Sequence, residues 1–397
     1  MVEKTSVDRP GFSRRDFVRR GAFGAAGLVG LGGLSGLLDA CSSGSGSGSS
    51  SGASPAASLG SGGMNALVKQ AQKEGKLNVL GIPPDWANYG KMVSNYQTKY
   101  GIKVTSEGQE DSSAEEVQSI KSLKGQPREP DTFDVSPAYA ILAHQEKLLS
   151  PYKAATWDSI PANMKDPNGY WVGPYWGAIA FGTNLNVAKT APATWDDLKN
   201  PAYKGMIALD GDPRSAGDAF GAVMGASLAN GGSLDNIEPG INFFADLKKI
   251  GNYIPAGVSP ANIAKGATPV VVIWDYLNLG YKQEFKGNPT FDVTVPPTGV
   301  FGNYYCDGVT ANAANPYSSR LWLEYILSDE GQQVYIGGYA HPARYQDLVK
   351  RNVIPASLAA MLPPAEAYAN VQFPTVAQTN AATKVLQEQW GPKVAGT

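Results

Sequence analysis

Residues 169–186, GYWVGPYWGAIAFGTNLN, decide how the chain is read. The stretch is rich in β-branched and aromatic residues, carries Pro174, and places glycine at Gly169, Gly173, Gly177 and Gly182. Those glycines would break a helix, whereas they suit a strand that other backbone approaches closely. A strand of this length does more than fill one sheet. The downstream segments ATWDDLKNPAYKGMIAL (193–209) and 309–344 make sense if the strand leaves one lobe and enters a second. It therefore reads as an inter-lobe crossing, and the cleft beside such a crossing is where ligands bind.

Upstream, the pattern is α/β. Helical segments at 64–74, 89–100, 117–123 and 138–146 alternate with short strands at 77–81, 102–106 and 132–136. Downstream, strands at 206–209, 269–274 and 291–295 alternate with helices at 215–229, 237–250 and 276–284. Residues 304–311 read as a second crossing strand, and Asn315-Pro316 opens a helix running to Ser328. This alternation predicts an α/β protein of two lobes, each a mixed sheet flanked by helices. Residues 64–178 and 306–345 are expected in the first lobe, and 179–305 and 346–397 in the second.

A chain of 397 residues with 43% hydrophobic and 10% aromatic content has room for two full cores. Its formal charge of −2 gives no electrostatic reason to expect a nucleic-acid partner. The first residues read as an address. Ser13-Arg14-Arg15-Asp16-Phe17 precedes an uncharged run, 21–38, in the manner of a twin-arginine export signal. Seven glycines in that run make it weakly apolar for a membrane span. It ends in Leu38-Asp39-Ala40-Cys41, similar to a bacterial lipobox apart from Asp39, so Cys41 is the expected lipid-attachment residue. Residues 42–63 are Ser/Gly/Ala-rich and read as a flexible tether of about 25 Å average reach. Beyond Cys41 the chain has one cysteine, Cys306, which leaves no disulfide within the body.

Several chemistries lack their parts. His144 and His341 are the only histidines, far apart in sequence and with no second cysteine nearby, so zinc sites, Cys/His dyads and His/carboxylate pairs all lack their parts. No nucleophile elbow, P-loop or dinucleotide fingerprint is present. Neither an enzyme nor a cofactor is expected. What remains is aromatic and acidic residues at element ends. Trp86 and Tyr89 share one side of a helix start, and Tyr305 and Asp307 share one strand face while Tyr304 takes the other. Trp274 and Asp275 end a strand, and Asp212 lies in a loop before a helix. Each has an ordinary structural use as core, cap or turn former. Only the combination of rings with carboxylates points to a binding cleft.

From about residue 76 to 344 the chain resembles the substrate-binding proteins of bacterial ABC importers, with their type II periplasmic-binding fold. The resemblance lies in LNVLGIPPDWANYGKMVSNYQTKYGIKV, FDVSPAYAILAHQEKLLSPY, the crossing segment, TWDDLKNPAYKGMIALDGDPRSAGDAF, GATPVVVIWDYLNLG and CDGVTANAANPYSSRLWLEYILSDEGQQ, in that order. Within the polyamine, ferric-iron and phosphonate group it is most similar to spermidine/putrescine-binding proteins. That similarity implies a polyamine-like cation held by Trp86, Tyr89, Asp212, Trp274, Tyr305 and Asp307, and Asp275, beside Trp274, is expected as a ligand-binding residue of the same site. The chain departs from the pattern at Ser215, where the family has an acid, and at Tyr305, where it has tryptophan.

The resemblance also implies a monomer that hands its ligand to an ABC permease and its ATPase while anchored on the outer face of the membrane. Two other readings stay open. One is a ferric-iron or anion binder using Tyr304-Tyr305 or Arg214. The other is a surface enzyme or adhesion module.

Overall fold

The computed structural model describes residues 62–109 and 111–396. The expected signal, Cys41 and nearly all of the tether lie outside the described residues. Eleven short strands form among the described residues: β1 (Lys76–Leu80), β2 (Lys103–Glu107), β3 (Thr132–Phe133), β4 (Leu149–Ser150), β5 (Tyr175–Asn184), β6 (Ile207–Leu209), β7 (Val270–Trp274), β8 (Phe291–Thr294), β9 (Gly302–Tyr304), β10 (Val309–Thr310) and β11 (His341–Pro342).

They build two mixed sheets. The first has the order β2-β1-β3-β10-β4, parallel except where β10 runs against β3 and β4. The second has the order β11-β5-β7-β6, with β8 and β9 also paired to β5. Helices flank both sheets, as alternating β and α periods require. The central strand β7, VVVIW, is buried throughout, as expected of a strand covered on both faces.

The crossing is shorter than the sequence suggests. β5 occupies 175–184 and lies wholly in the second sheet. Before it, Val172 forms an antiparallel bridge with Asp307, exchanging hydrogen bonds of 2.9 and 2.8 Å. Pro174 has no N–H to continue the ladder, and its carbonyl instead accepts from Ala343 N–H at 2.9 Å.

The return segment is divided in the same way. β9 pairs with β5, Cys306 bridges Val135, and β10 joins the first sheet. Four residue steps from Val172 to Trp176 face three from Asp307 to Tyr304, so the outgoing crossing carries a one-residue bulge. The close approach foreseen at the β5 glycines is made by side chains rather than backbone. A β-carbon on Gly177 would meet the Tyr276 ring, and one on Gly182 would meet Asn278. Both neighbours come from the Asp275–Phe285 helix, which lies directly on β5.

Residues beyond 345 touch both halves. The Val376–Trp390 helix packs on the Glu238–Ile250 helix and on the Pro137–Gln145 helix, and Trp390 sits 5.9 Å from the Phe244 ring. No helix of the described residues is long and apolar enough to cross a membrane.

Candidate functional site

β1 delivers the chain into a tight turn before the Tyr89–Tyr100 helix. Ala87 and Asn88 both take the left-handed conformation, φ 44° and 65°, which non-glycine residues seldom adopt. Asn88 anchors the turn by donating from Nδ2 to the Val334 carbonyl at 3.0 Å. The turn leaves Trp86 half-exposed, edge-on to Tyr276 at 6.4 Å and to Tyr305 at 5.9 Å. Tyr89 is fully buried and faces Tyr175 at 5.9 Å and Tyr335 at 5.8 Å. Trp86 and Tyr89 thus diverge, but Tyr175 meets Tyr276 at 5.9 Å and joins both into one aromatic cluster.

Asp307 is completely buried beside this cluster. Trp322 Nε1 donates to its Oδ1 at 3.3 Å and the Tyr89 hydroxyl to its Oδ2 at 3.5 Å, both long bonds. Burial pushes its pKa up to about 8 against the pull of those two donors. Tyr305 turns toward Trp86, with its hydroxyl over Gly217. Tyr304 turns away and donates to the Asn163 carbonyl at 2.6 Å. Strand alternation therefore holds, and the adjacent tyrosines do not converge on one ion. Among the described residues no group of three or more His, Cys, Asp or Glu is arranged to hold a metal ion.

Sequence reasoning missed two further carboxylates. Glu116 lies on the inner face of the Ser113–Ser122 helix, whose start is fixed by a capping box between Ser112 and Glu115. Asp134 follows β3. Both are buried, and burial raises both pKa values well above the carboxylate range, with Asp307 and Glu116 adding repulsion at Asp134. Asp134 Oδ1 and Glu116 Oε2 make no hydrogen bond of good geometry. The one signal in the sequence was a charged residue inside the otherwise apolar TFDV strand. Across the cluster, Asp218 is buried in the first turn of the Gly217–Ala229 helix, its pKa raised by burial and then by Asp210.

The other expected site residues are placed differently. Asp212 is half-buried and bound by the Arg214 guanidinium, Nε to Oδ1 at 2.9 Å and Nη2 to Oδ2 at 2.6 Å. Burial raises its pKa, but the Arg214 bonds outweigh this and hold it below the usual value. It acts as a turn former, as its spacing also allowed. Trp274 is buried against Phe301, rings 6.5 Å apart, and its indole N–H makes no hydrogen bond of good geometry but lies near the Tyr305 hydroxyl, whose pKa it pulls down against burial.

Asp275 is fully engaged. It accepts from Ala178 N–H at 3.0 Å, Tyr276 N–H at 2.9 Å and the Tyr368 hydroxyl at 2.7 Å, and its Oδ2 lies 3.2 Å from His341 Nε2. A His/carboxylate pair therefore exists after all. It was illegible in the sequence because its members are brought together only by β11 pairing with β5. Trp176 stacks on the same imidazole at 4.0 Å, and the group forms a structural knot behind β5.

Residues 132–374 match the model of the family described as bacterial extracellular solute-binding protein. The chain belongs to that family. A "Putative 2-aminoethylphosphonate-binding periplasmic protein" of Salmonella typhimurium is 25% identical over 209 residues. That alignment takes in 51% of this chain and 58% of the relative. The periplasmic binding protein AfuA from Actinobacillus pleuropneumoniae, solved with exogenous fructose 6-phosphate bound, covers 80% of this chain and 98% of its own at 20% identity, with a TM-score of 0.61. The spermidine/putrescine ABC transporter substrate-binding protein PotD of Streptococcus pneumoniae, solved with calcium and HEPES, covers 80% and 99% at 17% identity, with a TM-score of 0.58. This solute-binding protein thus has the two-lobed type II periplasmic-binding fold that its sequence suggested.

Proposed function

We propose that this solute-binding protein captures a small organic cation, a polyamine such as putrescine or spermidine, and delivers it to the permease and ATPase of an ABC importer from a lipid anchor at Cys41. The observation that carries the reading is Asp307, a buried carboxylate without a cationic partner among the described residues, bonded by the Tyr89 hydroxyl at one end of an aromatic cluster that runs through Tyr175 and Tyr276 to the half-exposed Trp86 and to Tyr305. An ammonium over a ring gains about 0.5–1 kcal/mol when exposed and about 2 when desolvated, and the same rings cover the methylene chain. Micromolar affinity needs about 8 kcal/mol in total, which one or two charge pairs and several rings supply. Trp86 follows a strand of the first sheet and Tyr276 follows one of the second. Ligand entry must part these rings, and ligand between them favours the closed arrangement.

The sequence relative from Salmonella favours a second reading, a zwitterionic amine of the 2-aminoethylphosphonate kind. Such a ligand shares the ammonium and differs in needing donors for its anionic end, a part for which Arg214 is already committed to Asp212. A thermal-shift panel of putrescine, spermidine, 2-aminoethylphosphonate, fructose 6-phosphate and ferric citrate separates the readings. At a hundredfold excess over Kd the true ligand adds about 2.7 kcal/mol of stability. A response to polyamines alone supports the proposal. A response to the phosphonate, sugar phosphate or iron without one to polyamines replaces it.

A further inference from the structure

The proposed cation site explains Asp307 but leaves an adjoining group of buried polar atoms unused. Tyr89, Tyr175 and Tyr335 pack as a group, termed the tyrosine box, with Tyr175 stacked on Tyr335 at 4.8 Å and Tyr89 edge-on to Tyr175 at 5.9 Å and to Tyr335 at 5.8 Å. All three are fully buried. The Tyr175 and Tyr335 hydroxyls, Asp134 Oδ1 and Glu116 Oε2 make no hydrogen bond of good geometry, although the Tyr89 and Tyr175 hydroxyls lie near enough to Asp134 to pull its pKa down against burial. Leaving such atoms unpaired is costly, and proteins rarely do so without use. Glu116 is pressed into place from behind, because a β-carbon on Gly81 would run into its carboxylate.

We infer that Asp134, with Glu116 and the Tyr89–Tyr175–Tyr335 box, is the seat of one ammonium end of the ligand, and that the ammonium enters by displacing protons from these carboxyls. The inference rests on the cation reading of the cleft. An ammonium carries three donors and no acceptor, which matches buried carboxylate and phenol oxygens gathered at one place. An anionic ligand group would instead add repulsion to these carboxyls.

The exchange follows from what surrounds the carboxyls. Asp134 is faced by Asp307 and Glu116 and by the Tyr89 and Tyr175 hydroxyls. Glu116 is faced by Asp111, Asp307 and Glu115. The Cys306 thiol, Tyr335 and the Trp322 indole adjoin Asp134 or Asp307. Among the described residues these neighbours are acidic, phenolic, thiol or indole, and none is a lysine, arginine or histidine. Like charges buried together and repelling one another are not all ionised at once, so the ligand-free cluster holds protons. A bound ammonium supplies the missing positive charge, and each proton it displaces leaves to solvent as the N–H···O contacts form.

The test is calorimetric titration of the purified full chain with putrescine, in phosphate and in Tris at the same pH, between pH 6 and 8. The inference expects protons to be released on binding, seen as a buffer-dependent heat, and affinity to rise with pH by up to about tenfold per unit for each proton displaced. Asp134→Asn is expected to weaken putrescine binding at least tenfold and to reduce the proton release, while the melting temperature of the ligand-free protein holds, because the amide keeps the shape and neutrality of the protonated carboxyl. Binding by the unaltered chain with no proton release overturns the inference. So does wild-type affinity in Asp134→Asn, or a loss of affinity accompanied by a fall in ligand-free stability, the mark of a purely structural carboxyl. Absence of any amine binding by the unaltered chain removes the cation reading itself, and the inference with it.

Discussion

The Tyr89 hydroxyl lies 3.5 Å from Asp307 Oδ2, joining the first turn of a helix to a crossing segment 218 residues further along the chain. This bond and the one from Trp322 are too long to offset the burial of a full charge. Asp307 therefore holds a proton in the ligand-free fold at pH values where an ordinary aspartate has lost it.

The first prediction concerns pH. Burial raises the Asp307 pKa from 3.8 to about 8 in the folded state. Within that window the folded chain binds a proton that the unfolded chain releases, so the contribution to stability is complete below about pH 4 and is lost as pH rises toward 8. The melting temperature of the ligand-free protein should fall across this window by more than in Asp307→Asn. Parallel curves for the two proteins would refute the assignment.

Trp86→Ala should weaken ligand binding by about 1–2 kcal/mol, roughly 5- to 30-fold in Kd, through loss of one ring face. Because Trp86 is half-exposed and follows a turn closed by backbone hydrogen bonds, unfolding stability should change by less than about 1 kcal/mol. Titration calorimetry and urea denaturation read the two quantities separately.

Tyr368→Phe removes the 2.7 Å hydrogen bond to the buried Asp275 carboxylate. A buried acceptor deprived of a donor costs about 1–3 kcal/mol, here in stability. Ligand affinity should stay within about twofold, since Asp275 is taken up by backbone N–H groups, His341 and Tyr368. A large loss of affinity at unchanged stability would instead place Asp275 in the ligand site.

Much of the fold was legible because hydrophobic period and turn residues act locally. The mixed α/β alternation, the helix after Ser112 and the facing of Tyr305 away from Tyr304 all follow from near neighbours in sequence. The site was less legible. Asp212 looked like a cleft acid, but Arg214 two residues on captures it. Asp275 and His341 looked unrelated, and strand pairing between β5 and β11 brings them to 3.2 Å. Glu116 and Asp134 come from separate elements, and their shared burial is a tertiary fact that no local pattern encodes.

Asp212 and Asp307 give a paired comparison. Asp307→Asn should cost at least tenfold in polyamine affinity, since a buried charge partner for an ammonium is worth about 2 kcal/mol or more. Asp212→Asn should cost far less, because that carboxylate already has its cation in Arg214. Equal losses in the two variants would show that the Asp212–Arg214 pair opens to meet the ligand.

The most direct measurement is a titration of the unaltered chain with putrescine, spermidine and 2-aminoethylphosphonate in parallel, repeated with Asp307→Asn. The cation reading predicts binding of at least one polyamine with a Kd in the micromolar range or tighter, and its loss in the variant. Binding of the phosphonate alone, or polyamine binding indifferent to Asp307, would contradict it.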